Sequence, residues 1–189
     1  MSENYNVDAF IGDVKRILAE DGENFTAFER IKEQMQVLVR NPEYQEIDEN
    51  TEAGNIHTGR QSRPLYEDDT GLVLVRARFG PEKMTPIHNH FSWGVIGILK
   101  GRDQYQIWER LDDGDGPGHA EIRMVEEKIL EPGDAVILPP PPQDIHAQQG
   151  YGDESTYEFV LFGKNAMKSP RLYFYPEKNQ AELMRLRSY

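Results

Sequence analysis

A chain of 189 residues with 33 acidic against 21 basic side chains has length enough for one sizeable core, and its net charge of −12 argues against nucleic acid or an anionic membrane as partner. It contains no cysteine, which removes disulfides, thiolate metal ligands and a cysteine nucleophile. The opening MSENYNVDAF has no basic stretch leading into an apolar one, and the longest apolar run, Gly94 to Leu99, is too short to span a bilayer, so a soluble cytoplasmic protein is expected.

In chain order, Val7, Phe10, Ile11, Val14, Ile17 and Leu18 recur at helical spacing until Asp21-Gly22. Phe28, Ile31, Met35 and Leu38 repeat the pattern until Asn41-Pro42 stops it. Two amphipathic helices follow, packed by their apolar stripes. Glu43 to Glu52 holds five carboxylates and reads as a solvated connection. From about Leu65 the chain becomes short apolar runs: Leu72–Phe79, Gly94–Lys100, Gln104–Arg110, Glu121–Leu130, Ala135–Leu138, Thr156–Phe162 and Leu172–Tyr175. Gly80-Pro81, Gly101, Asp112–Gly118, Pro132-Gly133 and Pro139–Pro142 break them. Short strands at this spacing predict an antiparallel sandwich or barrel behind the two helices, in one domain.

The chemistry concentrates in histidine. His88 and His90 stand as H-N-H, and His146 follows 56 residues after His90. On a strand, H-x-H puts both imidazoles on one face, and imidazole is the commonest protein ligand for iron, copper, nickel and zinc. A third histidine behind a proline-stiffened approach would complete a three-imidazole metal site. His57 and His119 lie in polar, loop-like sequence and read as surface residues.

These residues resemble a family. Gly80, His88, His90 and Gly101 are similar to the first cupin motif, and Gly133, Pro139 and His146 to the second. The usual first motif also carries a glutamate; its place here is taken by Gly94. TPIHNH, the GVIGILKG that follows and the helices in front resemble the thiol dioxygenases, among them cysteine dioxygenase and 3-mercaptopropionate dioxygenase. The second motif departs from its usual ending and reads His146-Ala-Gln-Gln-Gly150. The resemblance implies a mainly β fold, a double-stranded β-helix (cupin barrel) over residues 63–176, with a helical segment at 1–50 and a tail at 177–189. It implies Fe(II) on His88, His90 and His146, where zinc, nickel or another divalent metal would also be accepted. The partners would be a small thiol carboxylate and O2, the product a sulfinic acid, and the assembly a monomer or small homo-oligomer. Loss of the carboxylate has a physical reason: three neutral imidazoles leave the ion its full charge, which favours an anionic thiolate.

For the substrate, Arg63 falls where cysteine dioxygenases place the arginine that clamps a carboxylate, and the mercaptopropionate enzymes have glutamine there. A surface arginine is the alternative. Arg171 is a second candidate clamp, and Phe79, Trp93 and Phe162 are expected to wall the pocket. Alternation turns Val73, Val75, Ala77 and Phe79 inward and Arg76 and Arg78 away. The family's S-x-H-x-Y run is missing: its positions hold Glu158, Val160 and Phe162. Tyr157, Tyr173 or Tyr175 would have to supply a hydroxyl, or an apolar wall would suit a different thiol. Glu158 either faces the pocket or, as the preferred reading, sits in water at the barrel rim. A C–C-cleaving three-histidine dioxygenase and a non-catalytic metal-dependent binding cupin remain the alternative functions.

Overall fold

The computed structural model describes residues 5–47, 64–164, 166 and 169–184. Among them, helices α1 (Val7–Asp21), α2 (Phe25–Val39) and the short α3 (Pro42–Gln45) precede the strands. Each begins on an asparagine whose side-chain oxygen accepts a backbone N–H: Asn6 from Ala9, Asn24 from Ala27 and Asn41 from Glu43. Pro42 both prevents α2 from continuing and opens α3, where its missing N–H costs nothing.

The strands are β1 (Tyr66–Glu67), β2 (Val73–Phe79), β3 (Ile87–His88), β4 (Gly94–Lys100), β5 (Asp103–Arg110), β6 (Gly118–His119), β7 (Ile122–Leu130), β8 (Ala135–Leu138), β9 (Ile145–Gly150), β10 (Thr156–Phe162), β11 (Arg171–Tyr175) and β12 (Gln180–Met184). They form two antiparallel sheets, ordered β1-β2-β10-β4-β8 and β6-β12-β11-β3-β9-β5-β7. The two sheets enclose one interior, the double-stranded β-helix with helices in front. The first sheet is largely apolar on both faces, with Thr156 and Glu158 as polar exceptions on the inner one. Val73, Val75, Ile96, Ile98, Val160 and Phe162 pack inward with Tyr105 of β5, while Leu74, Val95, Leu99, Phe159 and Leu161 pack outward under α1 and α2.

The helices lie hard on that outer face. A Cβ on Gly97 would stand 2.5 Å from Met35 Cγ and 2.8 Å from Val39 Cγ1, so α2 crosses β4 where only glycine fits. Trp93 stacks on Phe28 of α2 with ring centroids 4.7 Å apart. Each large apolar side chain removed from water in this layer contributes about 1.5–3 kcal/mol. The predicted runs match the long strands closely. Strands β1, β3, β6 and β9 lie outside them, and β12 occupies part of the stretch expected as a tail, where it pairs with β11 and β6. Its signal is weak because only Ala181 of Gln180–Met184 is buried.

Candidate metal centre

His88 ends β3 and is paired in register with His146 of β9 on one side and Tyr173 of β11 on the other. His90 follows two residues later, on a loop held from two directions. The Asn89 side-chain oxygen accepts the Leu172 N–H at 2.8 Å, tying the loop to β11. The Asp144 carboxylate accepts the backbone N–H groups of His90 at 2.9 Å and Ser92 at 3.3 Å. Asp144 stands two residues before His146, so one buried carboxylate joins the two histidine-bearing segments. Phe91 takes a positive φ of 52°, which turns the chain sharply between those two N–H groups.

The structure brings His88, His90 and His146 together, all buried, with one ligand nitrogen from each lying within 4.8 Å of the others. Nδ1 of His88 is 2.8 Å from the Pro86 carbonyl; donating there leaves Nε2 free for the centre. Nε2 of His90 and Nε2 of His146 are 3.0 Å apart. Two nitrogens at right angles, each about 2.1 Å from one ion, are about 3.0 Å from each other, so this spacing fits ligands of a single metal. Burial pushes the His88 and His90 imidazoles well below the ordinary range and His146 down to about 3, helped in all three by the Arg171 charge. The rings are therefore neutral at pH 7, the form that ligates.

No carboxylate joins this group among the described residues. The reason is visible at Gly94, where a Cβ would meet the Leu161 carbonyl at 2.8 Å and Phe162 Cδ1 at 3.3 Å. The position that resembles the usual cupin glutamate is filled by neighbouring backbone and ring.

Of the expected substrate residues, Arg171 and Phe162 reach the histidines. Arg171 is buried, its Nε has no hydrogen-bond partner, and desolvation lowers its own pKa. The Phe162 ring lies 4.6 Å from that of His90. Trp93 is corrected: it packs outward on Phe28, because the residue before β4 has the parity of the helix-facing side. Phe79 is corrected too, being paired with Thr156, six residues along β10 from Phe162, or about 20 Å of strand. Arg63 and His57 lie outside the described residues. His119 is exposed. Arg76 and Arg78 face away from the interior, over the rings of Phe159 and Tyr157.

Among the tyrosines, Tyr157 faces the helices, and Tyr173 lies edge-on to His88 at 6.1 Å. Tyr105, which the sequence reading passes over, is buried with its ring 5.3 Å from His146. Its signal was the alternation of Tyr105 and Ile107 with Gln104 and Gln106. Glu158 is the largest correction. It is buried, not at a wet rim, and accepts a hydrogen bond of 2.7 Å from Gln148 Nε2. Burial raises its pKa to about 8 against the pull of that bond.

A surface cavity of about 260 Å³ abuts the histidine loop, lined by Asn89, Phe91, Arg110, Pro142, Leu172 and Phe174 among others. Its one arginine is already donating to Asp112 and to the carbonyls of Gly116 and His119, so it offers no spare cation.

No model of a known protein family matches the chain. Among solved structures it is similar to oxalate oxidase, at 21% identity and a TM-score of 0.45, over 65% of this chain and 61% of that one. It is similar to a structure of DMSP lyases, at 17% and 0.40, over 55% of this chain and 44% of that one. A third match is an uncharacterized conserved protein with a double-stranded β-helix domain from Klebsiella pneumoniae subsp. pneumoniae, at 16% and 0.40, over 64% and 79%. The chain thus spans under two thirds of the lyase and of the oxalate oxidase. No helix among the described residues is long and apolar enough to cross a membrane.

Proposed function

We propose that this chain is a metal-dependent enzyme that oxidises a small thiol carboxylate to its sulfinic acid, with Fe(II) on His88, His90 and His146. The observation that carries the reading is the convergence of three buried, neutral imidazoles without a carboxylate, beside the buried guanidinium of Arg171. Iron bound there would supply the one-electron chemistry that lets O2 react with a thiolate. The overall change is balanced without another reductant: RSH takes both atoms of O2 and becomes RSO2H.

The chain's own residues do the positioning. Arg171 pairs with the substrate carboxylate, in a setting where burial strengthens a charge-assisted bidentate contact. Phe162 and Val160 give the thiol an apolar wall, and Tyr173, edge-on to His88, would offer its hydroxyl in place of the family's missing tyrosine. Asp144 and Asn89 hold the histidine loop, so the imidazoles need no rearrangement to bind.

Oxygen uptake by the Fe(II)-loaded protein with cysteine, 3-mercaptopropionate and mercaptosuccinate tests this. One O2 consumed per thiol, with a sulfinic product and a raised KM in Arg171→Ala, is expected. Iron bound in stoichiometric amount with no thiol-dependent uptake would overturn it. A diketone-cleaving reading is favoured by one observation, the apolar Val160 and Phe162 where the family has histidine and tyrosine. Uptake with a diketone, indifferent to Arg171→Ala, would select it. His146→Ala is expected to release most of the metal while the barrel stays folded.

A further inference from the structure

The barrel interior holds a second group of polar atoms that the proposed reaction does not use. Asp103 (β5), Gln148 (β9), Thr156 and Glu158 (both β10) are all buried at 1% exposure or less. Five of their oxygens have no hydrogen-bond partner: both of Asp103, Oε1 of Gln148, Oγ1 of Thr156 and Oε2 of Glu158. Gln148 Nε2 gives one of its two N–H groups to the other oxygen of Glu158.

Strand geometry brings these side chains to one chamber. Asp103 shares the inward face of β5 with Tyr105, Gln148 shares that of β9 with His146, and Thr156 and Glu158 share that of β10 with Val160. Asp103 is opposite Gly150 and Thr156 is opposite Phe79. A Cβ on Gly150 would stand 3.0 Å from the Phe79 carbonyl, and Gly150 donates its N–H to Gly80. The two sheets therefore close on each other at this level. The charges sense one another too: Glu158 raises the pKa of Asp103, and both carboxylates raise that of Tyr105, after burial in each case. Arg171 lies toward the other end of the interior, since β11 runs parallel to β9 and places it level with Asp144.

With only the Thr156 hydroxyl, the Gln148 amide and a retained carboxyl proton as donors, this acceptor-rich pocket is demanding to bury. Each unpaired oxygen costs up to a few kcal/mol, and without a cation burial keeps the carboxyls protonated instead of ionised. A cation placed among them satisfies every oxygen at once. Oxygen donors with two carboxylates select hard ions, whereas the three imidazoles select transition metals.

We propose that Asp103, Gln148, Thr156 and Glu158 form a second metal site, for a hard, oxygen-seeking cation such as Ca2+, at the end of the barrel interior away from Arg171. Water and the Tyr105 side of the chamber would complete a coordination shell of roughly six to eight oxygens. The site is independent of the reaction proposed for the histidines.

The test is calorimetric titration and thermal unfolding of the histidine-loaded protein, freed of alkaline-earth ions, with CaCl2, MgCl2, NaCl and KCl as separate arms. One Ca2+ per chain is expected, with a rise in Tm. The isosteric double variant Asp103→Asn/Glu158→Gln should bind at least ~100-fold more weakly while keeping its histidine-site metal. Should that variant fail to fold, Thr156→Val serves in its place, with binding weakened on the order of tenfold. Saturable binding of Na+ or K+ in place of Ca2+, abolished by the same variants, also supports the site and assigns it a monovalent ion. No saturable binding of any of the four cations overturns the proposal. So does an isotherm unchanged in the variants, because it would report the acidic surface instead.

Discussion

The two faces of β10 are made by one run of seven residues and have opposite contents. Tyr157, Phe159 and Leu161 face α1 and α2 in a dry apolar layer, while Thr156, Glu158, Val160 and Phe162 face the interior, where orphaned polar atoms gather. Both faces are buried, so burial does not separate them. The difference lies in what each face must satisfy. The outward face meets helices whose backbone groups are already paired, and shape alone decides it. The inward face meets histidines, an amide and a second carboxylate, so charge and proton placement decide it. Stability should then answer to one face and binding to the other.

The largest expected effect is on the outward face. Phe159→Ala should cost about 3–5 kcal/mol of stability in urea unfolding while leaving the metal content of the folded protein unchanged. Loss of metal in step with stability would erase the division. Next comes the inward carboxylate. Glu158 is raised from 4.5 to about 8 in the folded chain, so the native state holds a proton that the unfolded state has lost. Without cations, the stability present below pH 4.5 should therefore fall as pH rises through about 8. Its slope should be on the order of 1.4 kcal/mol per pH unit. Glu158→Gln should flatten that slope, and an unchanged slope would count against the buried acid. Asp144→Ala removes the acceptor of two backbone N–H groups and should weaken metal binding by roughly 10–100-fold, read by competition with a chromophoric chelator. The smallest effect is expected outside the barrel, where Arg78→Ala gives up a cation–π contact 5.9 Å from the Tyr157 centroid. That should cost about 0.5–1 kcal/mol and leave binding alone.

The outward face was legible in the sequence, because helical and strand periods are set by apolar residues and those residues do all its packing. The histidine triad was legible because few residue types ligate, although the strand alternation expected of H-N-H ends at His88 and the Asp144 and Asn89 contacts place His90. The strand carrying His146 was not, since Ile145–Gly150 reads IHAQQG and lacks the apolar alternation that marks a strand. Polarity there is a property of the interior and not of solvent. The same inversion hid Asp103 and Glu158, which sequence reasoning sends to water and the fold keeps dry. Asp144 escaped because its task is to hold backbone N–H groups, which leave no pattern in the sequence. Trp93 misled through adjacency: standing three residues after His90, it has the opposite parity and belongs to the helices.

Gly97 has a consequence for how this molecule could have been assembled. A glycine in the middle of β4 is a poor choice for a strand and earns its place only under Met35 and Val39. The barrel wall is thus carved to the shape of α2, with Leu74, Val95, Leu99, Phe159 and Leu161 left bare if the helix is taken away. A barrel excised from its helices would present a sticky, grooved flank and aggregate. The helical layer behaves as a missing wall of the barrel, and the two would be inherited, transplanted or lost together.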